Sequence, residues 1–425
     1  MQHTQKLNTY LLLQVLLVCF FLSCQPHKKS NETMINYDTV PGTYGYDLSF
    51  LNNYQESVVL SDSLGMAQVL IIPGWQARVM TSTAKGPAGF SYGWINYKLI
   101  QSGKKADHIN AFGGEERLWL GPEGGQFSIY FSKGVTQEFS NWQVPAELDT
   151  VAFDLVSKSQ THATFSKQFT LTNYSGTRMD IGIGRTIELM DNEAIGKALG
   201  FELPDSIARV AYQSENVLIN NGEKTWTKES GMLSVWMLSM LTPSPGVTII
   251  IPYRDIPEKQ DEKILNDDYF GKVPSDKLVV RNGIIYFKAD GKYRSKIGIP
   301  PQRAMNFSGS YDAENRTLTV LWCDLPEGIK EYVNSKWEIQ KDPFSGDAIN
   351  AYNDGPVEDG TQMGPFYELE SSSPAANLKP GEKLMHRQRI FHFEGNEDQL
   401  GVIVEKLFGI SLDEVKGIFT GADPY

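Results

Sequence analysis

Short runs of β-favouring residues, separated by turn residues, recur along the chain from about residue 44 to residue 393. Residues 164–173 and 179–189 predict two paired strands, and Arg281-Asn-Gly-Ile284 is a strong signal for a two-residue hairpin. Further strands are predicted, among others, at residues 126–131 and 336–340. No linker or fixed-period repeat divides these strands. The pattern therefore predicts one large, mostly antiparallel all-β domain over residues 39–395.

Credible helical patterns are found at the C-terminus, over residues 397–407 and 412–418. Ser411 is suited to cap the second helix, with Glu414 three residues later. We therefore predict a short helical appendage over residues 396–425. The nearly continuous apolar run at 247–252 instead predicts a strand that is covered on both faces.

The N-terminus has the pattern of a targeting segment, with Lys6 followed by an apolar run at residues 11–22. The run ends in Ser23-Cys24, which resembles a bacterial lipobox. We predict a lipoprotein signal peptide over residues 1–23, lipidation at Cys24 and a flexible tether over residues 24–38. These features predict a cell-envelope protein that meets the membrane through its N-terminal lipid and faces the periplasm or the cell surface. A membrane-spanning anchor is the alternative, which the short run disfavours.

Charge and cysteine content narrow the possible partners. The chain carries 39 Lys and Arg against 51 Asp and Glu, a net charge of −12. Since residues 1–23 contain only Lys6, the processed chain carries 38 against 51, or −13. A chain without a basic patch is not expected to bind nucleic acid. After processing only Cys24 and Cys323 remain, so neither a disulfide nor a cysteine metal site is expected.

A glycine-rich stretch at residues 113–125 combines charge with a tryptophan. If its centre is a strand, alternation places Leu118 and Leu120 on one face. The other face carries Glu115, Arg117 and Trp119. Flanking glycines would let a ligand approach this second face closely, and Glu123 follows directly. The alternative is a core tryptophan shielded by an arginine.

A second stretch, at residues 363–374, contains two glutamates on one strand face. Glu368 and Glu370 would lie about 7 Å apart, with Tyr367 and Leu369 on the opposite face. Like charges this close raise one another's pKa, which suits acid-base catalysis, a metal ion or hydrogen bonds to a polyol. The alternative is a solvated face of an edge strand.

Alternation at residues 181–188 places Arg185 among isoleucines, which is unusual for a charge. Either a bulge turns Arg185 outward, or it is buried and paired with a carboxylate of the protein or of a ligand. The histidines show no metal-ligand spacing, so no zinc site is expected, and His162 and His108 alone are considered for proton transfer. No motif for a nucleotide cofactor is present, and no cofactor is expected.

Several motifs together resemble the galactose mutarotase-like (aldose 1-epimerase-like) superfamily. They are Gly113-Gly-x-x-Arg-Leu-Trp-Leu-x-Pro-Glu123, Tyr367-Glu-Leu-Glu-Ser-Ser372, Leu378-Lys-Pro-Gly-Glu-Lys383 and the strand ending in Phe391-His-Phe393. The resemblance covers about residues 40–395 and implies a β-supersandwich with short C-terminal helices. Uncharacterised bacterial lipoproteins of that superfamily are the closest in appearance.

The resemblance also implies a sugar chemistry. In mutarotases a glutamate takes the proton of the anomeric hydroxyl, and a histidine protonates the ring oxygen. Glu370 matches the glutamate, but the region that should hold the histidine contains Arg185, a poor proton donor. This departure leaves two readings open, an epimerase-type enzyme and a non-catalytic glycan-binding or structural envelope lipoprotein.

The predicted site is a carbohydrate cleft in which Trp119 stacks on a pyranose ring. The catalytic candidates are Glu370 as general base and His162 as acid. The predicted sugar-binding residues are Arg117, Trp119, Glu123, Arg185 and Glu368.

Overall fold

A computed structural model describes residues 37–257 and 263–420 of the chain. The predicted signal peptide, the lipidation site Cys24 and nearly all of the predicted tether lie outside these residues. From Tyr37 onward the chain forms one compact unit, which includes both C-terminal helices. Among the described residues, no helix is long and apolar enough to cross a membrane.

The described residues form eighteen strands, and every pair of neighbouring strands is antiparallel. The predicted fold class, mostly antiparallel all-β with short C-terminal helices, is therefore confirmed. In chain order the strands are β1 (Val58–Ser61), β2 (Gln68–Ile72), β3 (Arg78–Thr83), β4 (Arg117–Gly121), β5 (Asp154–Lys158), β6 (His162–Thr172), β7 (Arg178–Leu189), β8 (Ala208–Asn220), β9 (Ser234–Leu241), β10 (Val247–Pro252), β11 (Leu278–Arg281), β12 (Ile284–Lys288), β13 (Ser295–Ile299), β14 (Phe307–Asp312), β15 (Thr317–Cys323), β16 (Ile349–Asn353), β17 (Tyr367–Ser372) and β18 (Lys383–Glu394).

The strands form three sheets. A ten-stranded sheet has the order β11-β12-β10-β14-β15-β18-β8-β7-β6-β5. A five-stranded sheet has the order β13-β16-β17-β9-β4, and β1, β2 and β3 form a smaller sheet in that order. The α-helices are α1 (Tyr44–Asn52), α2 (Tyr97–Ser102), α3 (Asn192–Leu199), α4 (Glu397–Phe408) and α5 (Leu412–Gly417), and short 3-10 turns lie at Tyr37–Thr39, Pro73–Trp75, Gly86–Ala88, Phe139–Asn141 and Ala146–Leu148.

Apolar side chains of the five-stranded sheet pack against the ten-stranded sheet. One core cluster joins Leu118 and Met237 to Ile183 of β7, and a second joins Leu369 and Ile297 to strands β10, β12 and β15. Because side chains alternate along a strand, the residues between these apolar positions point to the other face of the five-stranded sheet. That face carries the candidate site.

The outer face of the ten-stranded sheet is covered by helices. Residues of α3, α4 and α5 share a core cluster with outward-facing residues of β10, β12, β14, β15 and β18. Within β10, Ile250 belongs to this cluster, whereas Ile249 and Ile251 face the five-stranded sheet. The prediction that this strand is covered on both faces is confirmed, and the C-terminal helices are an integral layer of the fold. Ser411 caps α5 as predicted.

Both predicted hairpins form. Strands β6 and β7 pair over their full lengths, and Arg281 pairs with Ile284 across Asn282 and Gly283, whose positive φ values suit the tight turn. The predicted strands at residues 126–131 and 336–340 are wrong, because both segments are irregular loops. Two hydrogen bonds join these segments, since Gln126 Nε2 donates to Gln340 O and Gln340 N donates to Gln126 Oε1, each at 3.0 Å.

Candidate functional site

The outward face of the five-stranded sheet gathers charged side chains from three strands. Strand β9 lies between β4 and β17, and its Leu238 is opposite both Arg117 and Glu370. As the alternation predicted, Arg117 and Trp119 share this face with Glu368 and Glu370, and Leu118 lies on the opposite face. Trp119 is itself 3% exposed and belongs to the same core cluster as Leu118, in line with the alternative of a core tryptophan beside an arginine. The predicted place of Glu115 on this face is wrong. Glu115 precedes β4 and bonds to His392 in the interior, with 2.9 Å between Oε1 and Nε2.

Arg117 forms a buried ion pair with Glu368. The guanidinium Nη2 lies 2.6 Å from Glu368 Oε1, and the two side chains are 3% and 7% exposed. The guanidinium also lies 5.0 Å from the ring centre of Trp119. Burial raises the pKa of Glu368 to about 7, although Arg117 opposes this shift. Of the two glutamates that the sequence places on one strand face, Glu368 is thus paired with a cation from strand β4.

Lys296 holds the second glutamate. Lys296 lies on β13, and its Nζ is 2.9 and 2.8 Å from the two carboxylate oxygens of Glu370. Trp236 Nε1 donates a further hydrogen bond to Glu370 at 2.8 Å. Burial by itself lowers the pKa of Lys296, but Glu370 and Glu123 more than offset this and raise it above its ordinary value. Glu370 is completely buried.

Glu123 brings a third carboxyl group to the same place from the loop after β4. Its backbone N–H donates to Ser335 Oγ at 3.1 Å. Burial raises the pKa of Glu123 to about 7, and Glu370 adds to the rise, while Lys296 and a hydrogen bond from Trp337 lower it. Proximity to Lys296 and Glu370 therefore places Glu123 in one electrostatic group with them. We call the set Arg117, Glu123, Lys296, Glu368 and Glu370 the glutamate cluster.

Four tryptophans border the glutamate cluster, and we call them the tryptophan wall: Trp119, Trp142, Trp236 and Trp337. The ring centres of Trp119 and Trp236 are 5.6 Å apart, and those of Trp142 and Trp337 are stacked at 5.7 Å. Trp119 and Trp142 are also neighbours, at 6.5 Å. The wall joins strands β4 and β9 to the loops at 126–142 and 335–340.

Three buried donors in this region have no hydrogen-bond partner among the described residues. They are Arg117 Nε, Trp119 Nε1 and Trp142 Nε1. A buried donor without a partner destabilises the fold, and most such groups in native proteins are satisfied by protein or water. Their concentration around one cluster indicates hydrogen-bonding capacity that the protein itself does not use.

A polar rim continues the cluster beyond Lys296. Tyr269 lies with its ring centre 5.8 Å from Lys296 Nζ, and its hydroxyl donates to Asp347. Asn266 Nδ2 also donates to Asp347, at 2.8 Å from Oδ1. Burial raises the pKa of Asp347, while Tyr269 and Asn266 oppose this shift. Sequence reasoning missed Lys296, Trp236 and this rim. Alternation with the core residues Ile297 and Ile299 could have placed Lys296 on the polar face of a strand, although not beside Glu370.

Arg185 does not lie in the cleft, and its predicted place there is wrong. Strand β7 belongs to the ten-stranded sheet, and it directs Arg185 inward, between the sheets. There Nη2 lies 2.7 Å from Glu116 Oε1, and Nε donates to Ala77 O at 3.0 Å. The alternative that Arg185 is buried and paired with a carboxylate of the protein is confirmed. Asn216 accepts its third hydrogen bond.

His162 does not reach Glu370 either. It begins β6, next to the edge strand β5, and its Nδ1 is 2.6 Å from Ser159 Oγ. The partners of Glu370 come instead from β9 and β13. His386 is fully enclosed, and burial lowers its pKa to about 4. Among the described residues, no group of three or more His, Cys, Asp or Glu side chains could hold a metal ion.

Glu368 and Glu370 are buried in this structure. A solvent-open cleft of about 710 Å³ is lined in part by Asn266, which also bonds to Asp347 of the polar rim.

The sequence matches the family of unknown function (DUF6786) over residues 42–419. No curated protein matches the chain. Among solved structures, the fold is similar to a galactose mutarotase-like protein from Lactobacillus casei ATCC 334, with 10% identity and a TM-score of 0.47 over 79% of this chain and 100% of that one. It is also similar to a galactose mutarotase related enzyme from Lactobacillus acidophilus, with 10% identity and a TM-score of 0.43 over 80% and 98% of the two chains. These similarities concern the fold alone, and at this identity and TM-score they carry no argument about superfamily or activity.

Proposed function

Because the chain belongs to a family of unknown function (DUF6786), we propose its function from the geometry of the site. The glutamate cluster and the tryptophan wall bind a carbohydrate, and Glu370 acts on it as the general base of an epimerase or mutarotase-type reaction. The observation that supports this is the meeting of three carboxyl groups, two cations and four tryptophans on one sheet face. Polar groups that fix hydroxyls, beside aromatic faces that stack on a ring, are the usual composition of such pockets.

Anomer exchange requires one base and one acid. The base takes the proton of the anomeric hydroxyl as the bond between that carbon and the ring oxygen breaks, and the acid protonates the ring oxygen. Ring closure on the other face of the carbonyl reverses both transfers. Two carboxyl groups in different environments suit this task, because one can stay ionised while the other holds a proton.

The acid in this proposal is Glu123. With a pKa of about 7, Glu123 holds its proton in about half of the molecules at neutral pH. Glu368 has a similar pKa, but Arg117 is bound directly to its carboxylate. Glu370 forms an ion pair with Lys296, with 2.8 Å between Oε2 and Nζ. The cluster thus supplies a base and an acid without a histidine.

Anomer exchange measured by NMR on a panel of aldoses tests this proposal. Glu370→Gln keeps the size of the side chain and removes the base, so the exchange rate should fall about 10²- to 10⁴-fold. The matched control is Glu405→Gln on the exposed surface of α4, which should leave the rate unchanged. Equal rates for wild type and Glu370→Gln would rule out the enzymatic function.

A non-catalytic glycan-binding function is the second candidate. It is favoured by the complete burial of Glu370 and by the hydrogen bonds that already occupy both of its oxygens. In that case the sugar binds to the loops and the tryptophan wall, and the glutamates only hold Arg117 and Lys296 in place on this face. Sugar binding that Glu370→Gln leaves intact, together with no anomer exchange by wild type, would identify this function.

We also propose that the protein is a lipid-anchored protein of the cell envelope, on the basis of the Ser23-Cys24 motif. Lipid at Cys24 would be its membrane contact. Membrane fractionation of the full-length chain tests this, with Cys24→Ser as the variant. The variant should leave the membrane fraction, and its retention there would contradict lipidation at this residue.

A further inference from the structure

The cleft beside the glutamate cluster is lined by residues that do not belong to that cluster. Its volume is about 710 Å³, within the range typical of ligand pockets. Pro300, Pro301 and Phe344 give it an apolar surface. We call it the basic cleft because its charged lining residues are four basic and two acidic: Lys228, Lys263, Arg303 and Lys330 against Glu331 and Asp342.

The basic cleft stands out against the charge of the whole chain. The chain carries a net charge of −12, whereas the lining of the cleft has an excess of two positive charges. Lys228 is paired with Glu331 across the cleft. Lys263 is paired with Asp268, with 3.7 Å between Nζ and Oδ2, whereas Lys330 is exposed and forms no ion pair within the described parts of the chain. A local excess of positive charge in a concave surface attracts anions.

Arg303 gives the clearest indication of a ligand. It lines the cleft, yet the residue is only 2% exposed. Its Nη1 donates to the backbone oxygens of Ile256 and Arg254, at 2.6 and 3.3 Å. Its Nε and Nη2 have no partner in residues 37–257 and 263–420, and no carboxylate there balances its charge. A buried, uncompensated guanidinium is costly, and its planar fork matches an oxyanion.

We propose that the basic cleft binds an oxyanion, a sulfate or a carboxylate, that is carried on a sugar. Arg303 holds the oxyanion with its free N–H groups, and Lys263 and Lys330 add positive charge at the mouth. The prolines and Phe344 contact the ring. Because a charge pattern and an unpaired arginine support this site, it does not depend on the chemistry proposed for Glu370. Shared contact through Asn266 makes it a neighbour of the glutamate cluster.

Isothermal titration calorimetry on the folded chain tests the proposal with four probes. They are a sulfated disaccharide, a disaccharide that contains a uronate, the neutral disaccharide of the same linkage, and inorganic sulfate. We expect wild type to bind one or both charged disaccharides at least about tenfold more tightly than the neutral one. Which of the two binds more tightly distinguishes sulfate from carboxylate. The preference should weaken as salt is added.

Two variants locate the site. Arg303→Gln should abolish the preference for the charged disaccharides. The double variant Lys263→Gln, Lys330→Gln changes exposed residues alone, so it keeps the test decisive should Arg303→Gln unfold. It should weaken binding of the charged disaccharide about tenfold. The exposed Lys98→Gln on α2 is the charge-matched control and should change nothing.

Two results would overturn the proposal. One is equal binding of the charged and neutral disaccharides by wild type. The other is unchanged affinity for the charged disaccharide in the double variant. Inorganic sulfate that binds as tightly as the sulfated disaccharide would overturn the role of the sugar. The preference for charged over neutral disaccharide is measured by binding and requires no turnover, which separates this outcome from the fate of the proposed reaction.

Discussion

Two buried arginine–glutamate pairs lie on opposite sides of the five-stranded sheet, and they differ in how completely their hydrogen-bonding groups are satisfied. On the inner face, Arg185 and Glu116 are 2.7 Å apart and 0% exposed. Both oxygens of Glu116 are used, since Oε2 accepts from Ser214 at 2.9 Å and from Gln388 at 2.8 Å. This pair is a closed network.

The outer pair is slightly shorter, but its hydrogen bonds are incomplete. Arg117 and Glu368 are 2.6 Å apart, yet Arg117 Nε has no partner among the described residues. The pKa of Glu368 is raised to about 7 by burial. The indole N–H of the adjacent Trp119 is also unused. A structural ion pair uses its hydrogen-bonding capacity within the protein, whereas the outer pair keeps capacity for a ligand.

The inner pair should matter most for stability. In Arg185→Met, Glu116 loses its cation inside the sandwich, and the free energy of unfolding should fall by about 3–5 kcal/mol. Denaturant titration measures this change. A loss below about 1 kcal/mol would show that the inner network is not needed for the fold.

The outer face should make stability depend on pH. The pKa of Glu123 in the folded chain, about 7, exceeds its ordinary value of 4.5, so the folded state binds more protons than the unfolded state between these values. Stability should therefore fall as pH rises from about 4.5 to 7, by up to about 3 kcal/mol for this group.

Glu123→Gln should reduce that slope, because an amide does not titrate. Unfolding measured at pH 5 and pH 7.5 would give a smaller difference in the variant than in wild type. Glu405→Gln should keep the slope of wild type. An unchanged slope in Glu123→Gln would mean that Glu123 titrates normally.

Arg117→Met should have the smallest effect on stability. Glu368 already has a pKa of about 7, so it can take up a proton at neutral pH when its cation is removed. The free energy of unfolding should therefore fall by only about 1–2 kcal/mol. Denaturant titration beside Arg185→Met makes the comparison direct. Equal losses for the two variants would contradict the distinction between a closed and an open pair.

The sequence was most informative where strand alternation applies. Leu118 and Leu369 mark core faces, so the opposite faces, with Arg117, Trp119 and Glu370, follow from the period of two. The same rule placed Arg185 among isoleucines and offered a buried, paired charge as one of two alternatives, which is the one observed. It cannot tell which face of which sheet is covered, because that depends on the packing of sheets formed by distant strands. Arg185 was for this reason assigned to the cleft.

Contacts between residues on strands that are distant in sequence could not be predicted from local patterns. Lys296 meets Glu370 only because β16 lies between β13 and β17, an order that no local pattern encodes. The segments at 126–131 and 336–340 have β-favouring aromatic residues, which suggested strands. Their aromatic residues, such as Trp337, instead pack over the sheet as loops, where side-chain contacts override local propensity.

The indole N–H signals of Trp119 and Trp142 in a proton–nitrogen NMR spectrum test the central claim most directly. Trp119→Phe and Trp142→Phe identify the two signals. If the outer face binds a carbohydrate, titration with a bound aldose should shift both signals, since these buried donors gain acceptors, while other indole signals far from the site stay in place. Saturation by the sugar with both signals unmoved would contradict a carbohydrate site on this face.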